Sequence, residues 1–223
     1  LLVLTDEDVP LLKPPLSSFL SDLKQDPHGE FGKNGASHGI VFFGGIKFSW
    51  LALLAIEQLR LLGCQLPIEV FIGDQGEYEK EFCESILPKM NASCTLLYEE
   101  IPNLAELLPG VKINGYQYKN LAFLISSFDQ ILFLDADNVP IVDPTPIFDS
   151  KVFKDNGLVI WPDAWARTTH PKYYEIASIP VTGNIARGPL MGSKTSNINT
   201  EVHFHDLENT IPNPSSESGM ILV

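Results

Sequence analysis

The chain has 223 residues, of which 44% are hydrophobic and 19% charged, and it carries a formal net charge of -13. That length and apolar content support a packed domain rather than a disordered chain. So acidic a chain is ill suited to nucleic acid, where Lys and Arg must neutralise phosphates, and it has no run of about 18 apolar residues to span a membrane.

Residues 1–37 are polar and broken by Pro and Gly, and they are expected to form a lead-in or stalk with a short helix in SSFLSDLKQ. GIVFFGG (Gly39 to Gly45) is a short apolar run ended by glycines, which predicts a buried strand. KFSWLALLAIEQLRLLG follows, apolar on nearly all faces and stopped by Gly63, and predicts a buried helix. PIEVFIGDQG predicts a second strand, and EYEKEFCESILPK an amphipathic helix ending before Pro88. CTLLYEE, YQYKNLAFLISS and QILFLDAD continue as strand, helix and strand, and GLVIWPD as a fifth strand. From Pro162 to Ser216 the pattern gives way to long Gly-, Ser-, Thr- and Asn-rich loops, and SGMILV reads as the opening of a further strand. The chain starts on Leu and stops inside that strand, so it reads as a piece of a longer product, truncated at its C-terminal end.

Apolar strands alternating with helices predict an α/β fold, Rossmann-like, with a mostly parallel sheet and helices on both faces. Ligands of such sheets sit beyond the carboxyl ends of the strands, near a switch in strand order. Two sequences stand at such ends: Gly44-Gly45 after the first strand and Asp135-Ala136-Asp137 after the fourth. A pair of carboxylates two residues apart at the end of an apolar strand needs a counter-charge. It suits Mg2+ or Mn2+, hard cations that take a few protein oxygens and leave positions for phosphate. An Asp-rich turn is the bland alternative. DADNV also fits the D-x-D-x-[TV] pattern of haloacid-dehalogenase-type phosphatases, with Asp135 as nucleophile, but three strand–helix units precede it and no later acidic pair follows.

The segment YQYKNLAFLISSFDQILFLDADNVPIVDP resembles the donor site of glycosyltransferases of the A-type fold. With GIVFFGG, LPIEVF, GLVIWPDAWARTTHPKYYEI and HDLENTIPNPSSESGMILV, the chain from Gly39 to Val223 is similar to the fungal alpha-mannosyltransferases that extend mannan and outer-chain glycans. The resemblance implies a catalytic domain over 38–223 and a GDP-mannose donor, with Mn2+ (or Mg2+) bridging Asp135, Asp137 and the diphosphate. It implies retaining transfer to a mannoside or glycoprotein glycan in alpha-1,2 or alpha-1,3 linkage. It also implies a Golgi membrane setting on the lumenal side, held by a type II anchor absent from this piece. Rival readings are a UDP-glucose or UDP-galactose transferase and an inactive glycan-binding relative.

Within that frame the candidate donor residues are Gly44, Gly45, Tyr116, Lys119, Asp135, Ala136, Asp137, Trp161 and Asp163, with Tyr118 beside Lys119 and Trp165 and Arg167 beyond Asp163. Lys119 offers a cation to the departing diphosphate. Glu217, in Glu217-Ser218-Gly219, is the candidate carboxylate over the sugar. His205, or His203, is a further candidate metal ligand. Asn91-Ala92-Ser93 is a glycosylation acceptor sequence. Cys64 and Cys94 each precede a strand, the second and third, and are expected to pair if their Cα atoms come within about 7 Å.

Overall fold

The structure is a computed structural model that describes residues 3–25, 38–97, 115, 117–165, 169–187, 204–212 and 215–223. By internal contacts the chain divides into two compact units, Leu1–Gly29 with Pro162–Ser216, and Glu30–Trp161 with Glu217–Val223.

In the first unit, helix α1 (Asp8–Gln25) begins where Thr5 donates to Asp8 Oδ2 from its backbone nitrogen (2.7 Å) and hydroxyl (2.8 Å). The expected helix in SSFLSDLKQ is thus the second half of a longer one, which carries Pro14 and Pro15 in its interior. Between Pro162 and Ser216 the expected loops contain a short helix, Lys172–Ile176, whose Lys172 pairs with Asp6 and with Glu175 (3.0 Å). These two acids hold the Lys172 ammonium above its ordinary pKa. Arg187 fastens the later loop, donating to His205 O (3.1 Å) and Thr210 O (2.9 Å).

The second unit is built on a sheet. Strands β1 (His38–Phe43), β2 (Ile68–Ile72), β3 (Ala92–Leu96), β4 (Gln130–Leu134), β5 (Val159–Pro162) and β6 (Ser216–Leu222) lie in the order β3-β2-β1-β4-β6-β5. β1 runs parallel to β2 and β4, β2 parallel to β3, and β6 antiparallel to β4. The continuous apolar runs read from the sequence are what a parallel strand buried on both faces requires. Ile40, Phe42, Leu132 and Leu134 join one core cluster, and Val41, Ile131 and Phe133 the other. Helix α2 (Ser49–Leu61) supplies Ala52, Ala55, Ile56 and Leu59 to the first, and helix α3 (Gln117–Ile125) supplies Ala122 to the second. Helices therefore cover both faces, as expected of the α/β class.

Three local expectations are corrected. First, α2 is not buried all round: Trp50 is 57% exposed and Leu61 83% exposed, because one helix laid on a sheet presents only one stripe to it. Second, the helix expected to end before Pro88 is not a regular α-helix and runs on through that proline. A π-turn, Phe82–Ile86, passes into a 3-10 turn, Leu87–Met90, with Pro88 in its first turn, where a missing N–H costs nothing. Third, the disulfide joins Cys83 to Cys94 (Cα–Cα 5.3 Å), while Cys64 is free and buried. Cys94 lies inside β3 opposite Val70, six residues past Cys64, so the two are not level at the sheet end. The turn that leads into β3 carries Cys83 back onto it instead.

One buried carboxylate ties α3 to the sheet. Glu69 on β2 is 8% exposed and accepts hydrogen bonds from Ser126 Oγ (2.7 Å), Ser127 N (3.3 Å) and Ser127 Oγ, just past the end of α3. Glu69→Ala is expected to cost about 2–4 kcal/mol in urea denaturation, since it strips these donors of their partner; a loss below about 1 kcal/mol would mean water replaces it freely. Thiol titration of the unreduced, denatured chain is expected to find one reactive cysteine, Cys64. Cys94→Ala should lower stability by about 2–4 kcal/mol, and modification of Cys94 in the unreduced protein would contradict the pairing.

Candidate active site

β1 is flanked by β2 on one side and β4 on the other, and the helices that follow β1 and precede β4 lie on opposite faces. The carboxyl ends of β1 and β4 therefore part at a switch point, where a crevice opens. A cleft of about 350 Å³ lies there, lined by Phe43, Gly44, Phe48, Glu77, Gly115, Tyr118, Lys119, Asp135, Ala136 and Asp137. The separation of 90 residues between Gly44 and Asp135 is closed by the β1–β4 register, which pairs Phe42 with Leu134.

The carboxylate of Asp135 is held from two directions. Lys119, one turn into α3, places its Nζ 2.7 Å from Asp135 Oδ1 and 2.9 Å from Oδ2, and donates also to Ser218 O at 3.0 Å. The side chains are 13% and 30% exposed, so this pair is shielded more than a surface bridge. Its ammonium has acceptors for all three hydrogens, and contact with a phosphate would require one of them to be released. From the other side, Glu217-Ser218-Gly219 on β6 lies against the Asp135 turn. Gly219 O accepts from Asp135 N (2.8 Å) and from Asn138 Nδ2 (2.6 Å), and Gly219 N donates to Glu217 Oε1 (2.6 Å). A Cβ on Gly219 would stand 2.9 Å from Asn138 Nδ2, 2.9 Å from Glu217 Oε1 and 3.0 Å from Asp135 Oδ2. Polar groups from β6 and from the turn after β4 thus converge on a position that only glycine leaves open.

Among the described residues that line it, the cleft carries the carboxylates of Glu77, Asp135 and Asp137 and the ammonium of Lys119. A diphosphate entering it meets net negative charge unless a cation comes with it. Among the described residues no three His, Cys, Asp or Glu side chains gather into a metal cage. Two carboxylates at the rim of an open cleft are nonetheless a donor set suited to a hard cation that draws its other ligands from phosphate. Asp135 and Asp137 fit that role.

Gly45 has φ 109°, and a Cβ there would sit 2.5 Å from Glu77 Oε2. Tyr118 lies against Phe43, ring centroids 5.4 Å apart and nearly parallel. Burial first, and then the charges of Asp74 and Glu77, push its phenol above the usual tyrosine pKa, so it stays an O–H donor at neutral pH. Trp161 and Glu217 line a second cavity of about 600 Å³, with Asn138, Met220 and the loop around Val139 to Ile147. Asp163 and His205 belong to the other unit. Asp163 Oδ1 accepts from Ala164 N (2.6 Å), and His205 Nδ1 lies 3.1 Å from Ile211 O. Asn91 is exposed in a left-handed turn, its side chain donating to Gln65 O. Tyr116, Arg167 and His203 lie outside the described residues.

Sequence reading missed Glu77 and Asn138. Glu77 follows a strand in an ordinary-looking acidic stretch, and its place in the cleft comes from the neighbouring strand. Asn138 was passed over as part of a turn, although it directly follows Asp-Ala-Asp.

A model of the family described as "Mannosyltransferase putative" matches residues 37–223. The chain belongs to this family. Alpha-1,2-mannosyltransferase MNN2 of Candida albicans is 41% identical, covering 98% of this chain and 38% of that protein. Alpha-1,2-mannosyltransferase MNN2 of Saccharomyces cerevisiae is 42% identical, covering 83% and 32%. The chain thus spans about a third of the length of the curated relatives it matches. Among solved structures, the galactosyltransferase LgtC is similar at 20% identity over 56% of this chain and 46% of that one, with a TM-score of 0.39.

Gly219→Ala is expected to destabilise the second unit by about 1–3 kcal/mol, because Asp135, Asn138 or Glu217 must move to admit the methyl group. An unchanged thermal midpoint would show that these side chains yield without cost.

Proposed function

We propose that this chain carries the donor site of a metal-dependent, retaining alpha-mannosyltransferase of the A-type fold. It moves mannose from GDP-mannose to a mannoside or glycoprotein glycan. The observation that carries the reading is the cleft at the switch point, with Asp135 and Asp137 at its rim and Lys119 anchoring the first of them. The names of the relatives support mannose and an alpha-1,2 linkage.

In this reading Asp135 and Asp137 hold Mn2+ or Mg2+, which when bound offsets the charge that the departing diphosphate acquires. Lys119 holds the Asp135 carboxylate in one orientation, so that the site is in place before the donor arrives. The sugar–phosphate bond breaks, the acceptor oxygen bonds to the same carbon on the same face, and the hydroxyl proton passes to the departing diphosphate, which leaves as GDP. Glu217 stands beside Asp135 across Gly219, where its carboxylate orients the acceptor or steadies positive charge on the sugar. Gly44 and Gly45 bring backbone close to the nucleotide, with Ala136 between the two aspartates; Tyr116 and Trp161 are assigned to the donor.

The setting that goes with this reading is the lumen of the Golgi, reached through an anchor elsewhere in the protein. The Cys83–Cys94 disulfide supports an oxidising compartment, and Asn91, exposed beside it, is the assigned glycan acceptor. Among the described residues no helix is long and apolar enough to cross a membrane.

The protein is tested with GDP-mannose, UDP-glucose and UDP-galactose, Mn2+ and mannoside acceptors. Mannose transfer is expected from GDP-mannose, abolished by chelation and restored by Mn2+. Asp137→Ala is expected to lower it by about a hundredfold or more. Transfer from a UDP-sugar instead would replace the donor. Donor binding without turnover would make the chain a non-catalytic relative, and phosphate release from simple phosphoesters without transfer would overturn the reading.

A further inference from the structure

Glu77 lines the cleft yet takes no part in the arrangement around Asp135. It ends a 3-10 turn, Gln75–Glu77, that follows β2 and is capped by Asp74, whose side chain accepts from Gly76 N at 2.7 Å. The turn is pinned, and it aims the carboxylate back at Gly45, where a Cβ would come within 2.5 Å of Oε2. Only a glycine at the end of β1 admits the carboxylate so close to the backbone. Aromatic rings stand in the same cleft: Phe43 with Tyr118 stacked on it, and Phe48, which is 44% exposed.

The sheet sets the spacing of these parts. β1 separates β2, which leads to Glu77, from β4, which ends at Asp135. Neighbouring strands lie about 4.8 Å apart, so these two strand ends are about 10 Å apart. That interval suits a nucleotide with its phosphates at Asp135 and Asp137 and its base on the β2 side. A ribose hydroxyl would need only an acceptor. Aromatic walls beside the carboxylate are what a flat base uses.

We propose that Glu77 reads the base of the donor nucleotide and selects guanine. The assignment rests on reading the cleft as a nucleotide-sugar site. A carboxylate has two acceptor oxygens side by side and no donor. Guanine meets them with two adjacent N–H groups, at N1 and at the N2 amine, in a charge-assisted two-point bond. Uracil presents one N–H between two carbonyl oxygens. Adenine and cytosine set one N–H beside an acceptor nitrogen, which the carboxylate repels. Glu77 thereby turns an acidic liability of the cleft into discrimination between bases, because an acceptor covered by the wrong base and left unpaired is costly.

Calorimetric titration of the protein with GDP, IDP, UDP and ADP in the presence of Mn2+ tests this, comparing the native chain with Glu77→Gln. The native protein is expected to prefer GDP, and to bind IDP, which lacks the N2 amine, about tenfold more weakly. Glu77→Gln should weaken GDP roughly ten- to a hundredfold, leave UDP near its native value, and erase the difference between GDP and IDP. Circular dichroism checks that the variant is folded. Binding without guanine preference, or a preference that Glu77→Gln leaves intact, overturns the base assignment and leaves the donor-site reading standing. If 2'-deoxy-GDP loses as much affinity as Glu77→Gln causes, and the two losses do not add, the carboxylate holds the ribose and the assignment fails. No binding of any of these nucleotides by the native protein overturns the donor-site reading itself.

Discussion

A carboxylate at the end of an apolar strand is the constraint around which the second unit is arranged. Asp135 ends four buried residues of β4, and charge in such a place must be answered. The answer comes from Lys119 on the preceding helix and from the backbone of β6, whose Gly219 carbonyl takes the Asp135 N–H while Ser218 O shares the Lys119 ammonium. Each element depends on another. α3 must lie on its face of the sheet for Lys119 to reach, which Glu69 secures through Ser126 and Ser127. β6 must run antiparallel beside β4 for Glu217-Ser218-Gly219 to meet the Asp135 turn, and its register, Leu134 with Met220, brings them level.

This arrangement gives the cleft a fixed shape and an unbalanced charge. Among the described lining residues, Lys119 cannot neutralise Glu77, Asp135 and Asp137 together, and it is already engaged with Asp135. The surplus is spread across the cleft: Asp137 stands at the β4 rim and Glu77 arrives from β2. Preorganisation matters more than the number of contacts, because groups already oriented need no rearrangement when charge develops.

Much of the fold was legible because buried parallel strands announce themselves. HGIVFF, IEVFI and QILFL are apolar nearly throughout, with Glu69 the one buried acid among them, and the glycines and aspartates that end them mark the ligand side of the sheet. The site was half legible for the same reason: Gly44, Lys119, Asp135 and Asp137 lie at or beside those ends. What failed were inferences across the chain. Position along the chain suggests pairing Cys64 with Cys94, but the β2–β3 register sets Cys94 inside β3 opposite Val70 and leaves Cys64 to the core. α2 was read as buried because its composition is apolar all round, whereas burial is decided by how many neighbours a helix has.

By itself the sequence determined the class of the fold, the strand ends where chemistry belongs and, through its similarity to known proteins, the family. These are encoded locally, in runs of apolar residues and in the acids and glycines that stop them. Only the tertiary structure decided that Lys119 belongs to Asp135, that Gly219 is the point where Asp135, Asn138 and Glu217 meet, and that Glu77 faces the cleft. Those partnerships join residues 16 to 84 positions apart, and their geometry is set by strand order and register, which no short stretch of sequence contains.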